Sequence, residues 1–408
     1  MRVIVLDGNE NQAVAATRSL DRAGYEVTVG ASEPWSKAGW SRCASKSFVY
    51  PSPRTDPDAF VRRLVEEIRS GNRAIVMPMT ERTTIPLSAR RADIAKAGGM
   101  MVLPPEDVLL KVFDKRWMTE LAQTLGIAVP RTWVVQRDAD ASRLAPELPY
   151  PVVLKPLVSE ERNANGGSTH TGTPLYARSA REFLEAVAQM LGRCSAVLVQ
   201  EFVQGTGAGY FAILRHGELR GEFAHRRLRD VRPTGSGSAL RESALPSPAL
   251  REASLALLRA VGWHGVAMVE YRMRADGTPV FLEVNGRFWH SLALAVHAGV
   301  DFPLGLARLA EHGDLEPLPA GRPGVRCRWL LGDARHLAAV WRGAPAGYPG
   351  EFPSRLGTLL AELRPSLGMT HDNFELADPL PELGDWIHFF AHKIPGAIKG
   401  KLGGGTRG

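Results

Sequence analysis

The chain has 408 residues, 44% of them hydrophobic, three cysteines and a formal net charge of +7. This length exceeds what a single core usually serves, so two or three domains with substantial cores are expected and general disorder is excluded. Cys43, Cys194 and Cys327 stand far apart with no CxxC pair, which argues against a structural zinc site and suits a reducing compartment.

No run approaches the roughly 18 apolar residues of a spanning helix, and "MRVIVLDG" is too short and too acidic for a signal peptide, so a cytoplasmic protein is expected. Arginine supplies most of the positive charge, and Lys155 is the sole lysine between positions 116 and 392. There is no basic run interleaved with aromatics, no zinc-finger spacing and no RNP-type motif. Nucleic acid is therefore not an expected partner, whereas an anionic small ligand fits the charge.

"RVIVLDG" reads as a strand, "NQAVAATRSLDRAGY" as an amphipathic helix closed by Gly24, and "EVTVGAS" as a second strand. "AIVMPMT" and "MVLPPE" continue the alternation, so a small parallel α/β domain is expected over residues 1–110. Its first turn, "DGNENQ", lacks the GxGxxG of a dinucleotide site, which argues against a dehydrogenase. "KVFDKRWMTELAQTLGIAVPRTWVV" reads as helix, glycine stop and strand, and "YPVVLKPLV" as a strand interrupted by Lys155. The aperiodic "SEERNANGGSTHTGT" is expected to be a mobile loop. Residues 181–191 read as a helix, "AVLVQEFV" as a strand, and "GYFAILRHGELRGEFAHRRL" as a hairpin around His216 and Gly217. A glycine-serine loop, "PTGSGSALRES", precedes a helix at 249–261, and the chain from 321 onward is less patterned.

"FLEVNGRFW" places Glu283, Asn285 and Arg287 at alternate positions, so in a strand they share one face while Leu282 and Val284 take the other. Upstream, Asp276-Gly277 is a hairpin signal, and a two-residue loop there sets Glu270 directly opposite Glu283; a loop of three to five residues would slip that register. Like charges facing each other among apolar neighbours are destabilising without compensation. A hard divalent cation, Mg²⁺ or Mn²⁺, taking oxygens from Glu270, Glu283 and Asn285 would supply it; two solvated glutamates at a hairpin edge are the alternative. Lys155 on its strand and Lys115 at a helix start can act as point charges on phosphate oxygens, though each alone also reads as a surface lysine. The loop over 163–172 offers backbone N–H groups and small hydroxyls suited to covering a polyphosphate.

In order, "DKRWMTELAQTLGIAVP", "PVVLKP", "NGGSTHTG", "VLVQEFVQG", "VAMVEY" and "FLEVNGRFW" resemble the ATP-grasp superfamily, in particular its carboxylate-amine ligases and the halves of the carbamoyl-phosphate synthetase large chain. The resemblance spans residues 1–310. It implies an α/β and α+β architecture: an N-terminal Rossmann-like domain (1–110), an ATP-grasp domain of two lobes clasping ATP (111–320) and a C-terminal extension (321–408). It further implies that Lys115 and Lys155 hold the nucleotide phosphates, with Gly166, Gly167 and Ser168 in the lid above them. Gln200, Glu201, Phe202 and Val203 match the interlobe strand, the backbone of Glu201 and Val203 meeting the adenine edge. Glu270, Glu283 and Asn285 match the metal ligands, and Arg287 matches the arginine that steadies the transferred phosphate. Two departures stand out: "GTGAGY" offers no acidic residue for the ribose, and "EVNGR" has Gly286 where the family commonly has proline.

The implied chemistry is an ATP-dependent ligation of a small carboxylic acid to an amine, with amino-acid-like substrates, through an acyl phosphate. Bicarbonate as the acid, or nucleotide binding without turnover, are the alternatives. A guanidinium fork binds carboxylates bidentately, so Arg227 and Arg241, from the arginine-rich stretch before and after the glycine-serine loop, are the candidates for seating the acid or acyl phosphate. His225 and His290 are candidate proton acceptors for the amine, and Trp289 and Ser291 lie close enough in sequence to touch substrate. A homodimer is a family-level expectation. The tail, "DWIHFFAHKIPGAIKGKLGGGTRG", reads as a packed terminal helix rather than one lying on a membrane.

Overall fold

Short β-branched runs separated by amphipathic helices build the first layer of the protein. The computed structural model describes residues 1–158, 160–162, 168–170, 172–362 and 368–402. Strands β1 (Arg2–Val5), β2 (Glu26–Ala31), β3 (Lys46–Val49), β4 (Ala74–Met77) and β5 (Gly99–Met100) form a parallel sheet in the order β3-β2-β1-β4-β5. β1 is buried throughout, as the central strand of a sheet covered by helices on both faces should be. β3, "KSFV", escaped the sequence reading because it is an edge strand that buries only Phe48.

The second layer comprises β6 (Thr132–Val135), β7 (Val152–Pro156), a two-stranded ribbon of β8 (Glu160–Arg162) and β9 (Ser168–His170), β10 (Leu175–Ala177) and β11 (Val197–Glu201). The antiparallel order is β10-β7-β11-β6, and Val152, Leu154, Val197 and Val199 meet Phe183 and Val187 of the helix Ala180–Leu191 beneath. The stretch expected to be a mobile loop differs in its described part: Glu160 pairs with His170 and Arg162 with Ser168, in a regular ladder. Polar residues without apolar alternation can still pair through the backbone, which periodicity does not register. Gly166 and Gly167 lie outside the described residues.

The largest sheet joins β12 (Thr206–Arg215), β13 (Glu218–Arg232), β14 (Ser236–Ala244), β15 (Gly265–Met273), β16 (Pro279–Asn285), β17 (Arg326–Arg328) and β18 (Thr370–His371) in the order β16-β15-β12-β13-β14-β17-β18. The expected hairpin at His216-Gly217 is present, both residues taking positive φ (48° and 85°) as a tight two-residue turn demands. One face buries Tyr210, Val269, Tyr271 and Phe281 against the helices Glu106–Phe113, Lys115–Thr124 and Pro248–Ala260. β17 and β18 extend this sheet, so the part of the chain beyond 321 completes the second half of the fold rather than trailing from it. Trp386 and Phe389 of the helix Leu380–Leu402 pack on Val231, Ala239, Trp329 and Leu331, as expected for a packed terminal helix. Among the described residues no helix is long and apolar enough to cross a membrane.

Candidate active site

The open face of the large sheet is a set of cross-strand rows, and their composition makes the site. One row runs Glu283–Glu270–Gly209–His225, and in the next Arg272 pairs with Gly207, against which the Arg227 side chain lies. The glycines of "TGAGY" recur with the strand period of two, so both leave the same face bare. A Cβ at Gly207 would come within 2.9 Å of Arg227 Cδ, and one at Gly209 within 3.0 Å of His225 Nε2. The bare floor lets these two long side chains lie across it, under a cavity of about 400 Å³ between the two lobes.

The Glu270–Glu283 pairing is as expected, but it is reached differently. The turn is a three-residue loop closed by Arg274 N–H to Thr278 O (3.0 Å), with Gly277 left-handed at φ 85°, which pairs Met273 with Pro279. A bulge next to Glu270 then inserts Leu282 and restores the register. The bulge also corrects the expected direction of Leu282: it lines the cavity beside Glu283, while Val284 enters the core as expected.

Lys115 occupies the first position of its helix because Asp114 caps it, accepting from Arg116 N–H (2.9 Å) and Trp117 N–H (3.1 Å). From there its ammonium lies 3.4 Å from Glu283 Oε2. Lys155 reaches in from the opposite lobe and donates to Gln200 Oε1 (3.1 Å), whose amide nitrogen is anchored on Thr132 Oγ1 (3.2 Å). Burial would raise the Glu283 carboxyl, but Lys115, Lys155, the Asn285 amide and Arg287 outweigh it and hold it at about 2. Burial pushes the Lys155 ammonium down to about 8 against the pull of Glu283. Arg287 donates to Asn285 Oδ1 (2.8 Å) and Asn285 to Glu283 Oε1 (3.3 Å), so Glu283, Asn285 and Arg287 are one linked chain on one face.

Arg227 is nearly buried and bonds Glu270 Oε1 at 2.8 Å. Arg241 departs from the expectation. It does not line the cavity: fully buried, it ion-pairs with Asp372 and donates to Ser238 O (2.8 Å). β17 and the segment after it cover the end of β14, and this non-local packing has no local sequence signal. His225, Trp289, His290 and Ser291 all line the cavity. Burial, reinforced by Arg227 and Arg241 at His225 and led by Arg241 at His290, holds both imidazoles well below their ordinary value, so both are neutral. At the far end, Glu201 accepts from Arg131 Nε (2.8 Å), and the N–H groups of Glu201 and Phe202 bond Arg131 O (3.0 Å) and Pro151 O (3.1 Å).

Sequence reasoning missed Arg272, Tyr176 and Tyr348. Arg272 lines the cavity two residues beyond Glu270 on the same strand, a spacing that could have found it. Tyr348 packs edge-on to Tyr176 (5.1 Å) and Phe202 (6.0 Å), bringing the C-terminal part of the chain to the hinge. Among the described residues no group of three or more His, Cys, Asp or Glu side chains gathers as a ready metal cage. The candidate donor set is two facing carboxylates and an amide, suited to a hard cation that completes its shell with phosphate oxygens.

No family model matches the chain. The carbamoyl phosphate synthase large chain of Methanosarcina acetivorans is 25% identical over 300 residues, 69% of this chain and 26% of the relative. That of Thermus thermophilus is 25% identical over 387 residues, 91% of this chain and 34% of the relative. The chain thus spans about a quarter to a third of the length of these curated relatives. Among solved structures, biotin carboxylase from Campylobacter jejuni superposes with a TM-score of 0.61 at 16% identity, over 80% of this chain and 74% of that one. N5-carboxyaminoimidazole ribonucleotide synthetase from Thermus thermophilus gives 0.58 at 17% identity (80% and 81%), and an L-amino acid ligase from Bacillus licheniformis 0.55 at 17% (78% and 77%). The two lobes, the cleft between them and these likenesses together establish that the chain has the ATP-grasp fold.

Proposed function

We propose that the protein is an ATP-dependent ligase that joins a carboxylate to an amine through an acyl phosphate. The observation that carries this reading is the facing pair Glu270–Glu283 set within one cavity against Lys115, Lys155 and Arg287. In this reading Glu270, Glu283 and Asn285 hold Mg²⁺, which neutralises phosphate charge when bound. Lys115 and Lys155 hold the phosphates. The backbone of Glu201 and Val203 meets the adenine edge, and because Glu201 N–H is engaged with Arg131 O, Glu201 contributes its C=O. Gln200 positions Lys155, and Phe202 forms part of the aromatic wall with Tyr176 and Tyr348.

Two cationic groups share the remaining work. Arg287 and Lys155 stabilise the charge that develops as the carboxylate attacks the γ-phosphate and as the amine attacks the acyl phosphate. Arg227 seats the acid. The burial and the arginines that hold His225 and His290 neutral also make them weak bases, which speaks against their taking the amine's proton. The three proposed units are residues 1–110, 111–320 and 321–408, the last sealing the hinge. The test is phosphate and ADP release from ATP and Mg²⁺ across a matrix of amino acids and small acids, bicarbonate included. Release that needs one acid and one amine supports ligation; release that needs bicarbonate and no amino acid moves the protein to N-carboxylation; no release above background in any combination overturns both.

The Lys155 value of about 8 gives a signed pH expectation. The protonated form binds phosphate, so ADP affinity should be flat below pH 8. Above it the free protein sheds a proton that phosphate would restore, and affinity should fall by up to about tenfold per pH unit. Calorimetric titration of ADP at pH 7 and pH 9, with Lys155→Met as the flat control, measures this. Equal slopes for both proteins would show that Lys155 does not meet the phosphates.

A further inference from the structure

We propose that the outer face of the C-terminal helix, together with the apolar pocket beside it, docks on an anionic membrane surface. The helix Leu380–Leu402 packs by one face only. Trp386 and Phe389 lie on the core, and the acids of the helix, Glu382 and Asp385, are buried at the same helical spacing. Glu382 accepts from Trp386 Nε1 (2.7 Å) and Asp385 from Lys37 Nζ (2.9 Å). Leu380, Leu383, Ile387 and Phe390 recur at intervals of three, four and three, so they form a second stripe, and all four are exposed, Phe390 at 51%.

The stripe borders a pocket of about 310 Å³ whose walls include Pro34, Trp35, Trp40, Ile387 and Ala391. Gly384 brings the helix against that wall, since a Cβ there would lie 3.2 Å from Lys37 Cα and from the Trp40 ring. Trp35 is 66% exposed beside it, and an indole with an apolar body and one N–H suits the headgroup boundary of a bilayer. The acid at the rim, Glu33, is engaged by Asn9 Nδ2 (3.3 Å) and His388 Nδ1 (3.2 Å). Charge identifies the occupant. From Trp386 to Gly408 the chain has no Asp or Glu and carries Lys393, Lys399, Lys401 and Arg407. A bare apolar stripe leading into a basic, acid-free stretch supplies both contributions that hold a peripheral helix on a bilayer: apolar area to bury and attraction to anionic headgroups. A second copy of the chain fits less well, because its helix would bring the same positive charge and its two acids are turned inward.

The experiment is co-sedimentation of the full chain with vesicles of phosphatidylcholine alone and of equal parts phosphatidylcholine and phosphatidylglycerol, at low and at high salt. The wild type should bind the anionic vesicles at least about tenfold more strongly than the neutral ones and lose most of that preference in high salt. Ile387→Asp with Phe390→Asp should weaken binding to the anionic vesicles at least about tenfold, because two apolar side chains no longer enter the headgroup boundary. Both positions are exposed, so the thermal midpoint of this double variant should match the wild type. Should it not fold, Lys393→Gln with Lys399→Gln and Lys401→Gln carries the test, and is expected to lose most of the preference for anionic vesicles. Absence of binding to anionic vesicles, or equal binding to both compositions, overturns the proposal, as does wild-type binding by whichever variant folds. A lipid-free dimer in light scattering that the double variant splits assigns the face to a second copy of the chain and overturns it likewise.

Discussion

Glu283→Gln is expected to lower Mg²⁺-dependent ADP release by at least about 10²- to 10³-fold, the range seen when one pre-aligned electrostatic contact is removed from a transition state. The substitution keeps shape and the bond from Asn285, so the effect isolates charge. Lys115 at 3.4 Å would lose its partner, and Lys155, already pushed down to about 8, would lose the group that most supports its charge. The variant should therefore show three linked changes: a smaller maximal rate, saturation only at higher Mg²⁺, and weaker ADP binding above neutral pH. Glu270→Gln should differ in degree, because its ion-pair partner is Arg227 and its support of the Lys155 charge is smaller than that of Glu283; Mg²⁺ dependence should shift while the pH dependence of ADP binding moves less than in Glu283→Gln. Titrating Mg²⁺ at fixed ATP in both variants distinguishes these patterns. Wild-type turnover and Mg²⁺ dependence in Glu283→Gln would remove the carboxylate pair from the mechanism.

Much of this site is written in short-range pattern. Alternation alone puts Glu283, Asn285 and Arg287 on one face, because strand geometry is local. The isolated Lys155 stands out because charge inside a buried strand needs a partner, and its partner Gln200 lies on the neighbouring strand. The Glu270–Glu283 register is legible for a subtler reason. The longer loop and the Leu282 bulge are opposite one-residue changes that cancel, so a simpler hairpin predicts the same pair. What the sequence conceals is contact between distant segments. Arg241 sits among arginines beside a glycine-serine loop and reads as a substrate group, yet its fate depends on Asp372, far along the chain. Tyr348 at the hinge and the extension of the sheet by β17 and β18 are likewise set by tertiary packing, which leaves no periodic trace.

The Arg241–Asp372 pair gives the second large effect, on stability. Both side chains are fully buried, and Asp372 also accepts from Asn11 Nδ2 (3.1 Å) and from the Cys327 thiol (3.3 Å), so it ties the large sheet, the C-terminal segment and the first domain together. Nearby, Lys37 bonds Asp385 (2.9 Å) and Arg18 bonds Asp378 (2.8 Å), further links between the same two parts of the chain. Asp372→Ala strands a buried guanidinium and should cost about 3–5 kcal/mol. Removing both charges, as Arg241→Met with Asp372→Leu, should recover most of that loss, since a buried pair is worth far less than either half alone is costly. Urea denaturation midpoints of the three proteins measure the difference; a loss below about 1 kcal/mol in Asp372→Ala would contradict the buried pairing. The double variant carries a second consequence. Because Arg241 faces Asp372 and not the cavity, the folded double variant should keep wild-type KM values for both the acid and the amine, whereas a substrate-seating arginine would raise the KM for the acid it holds.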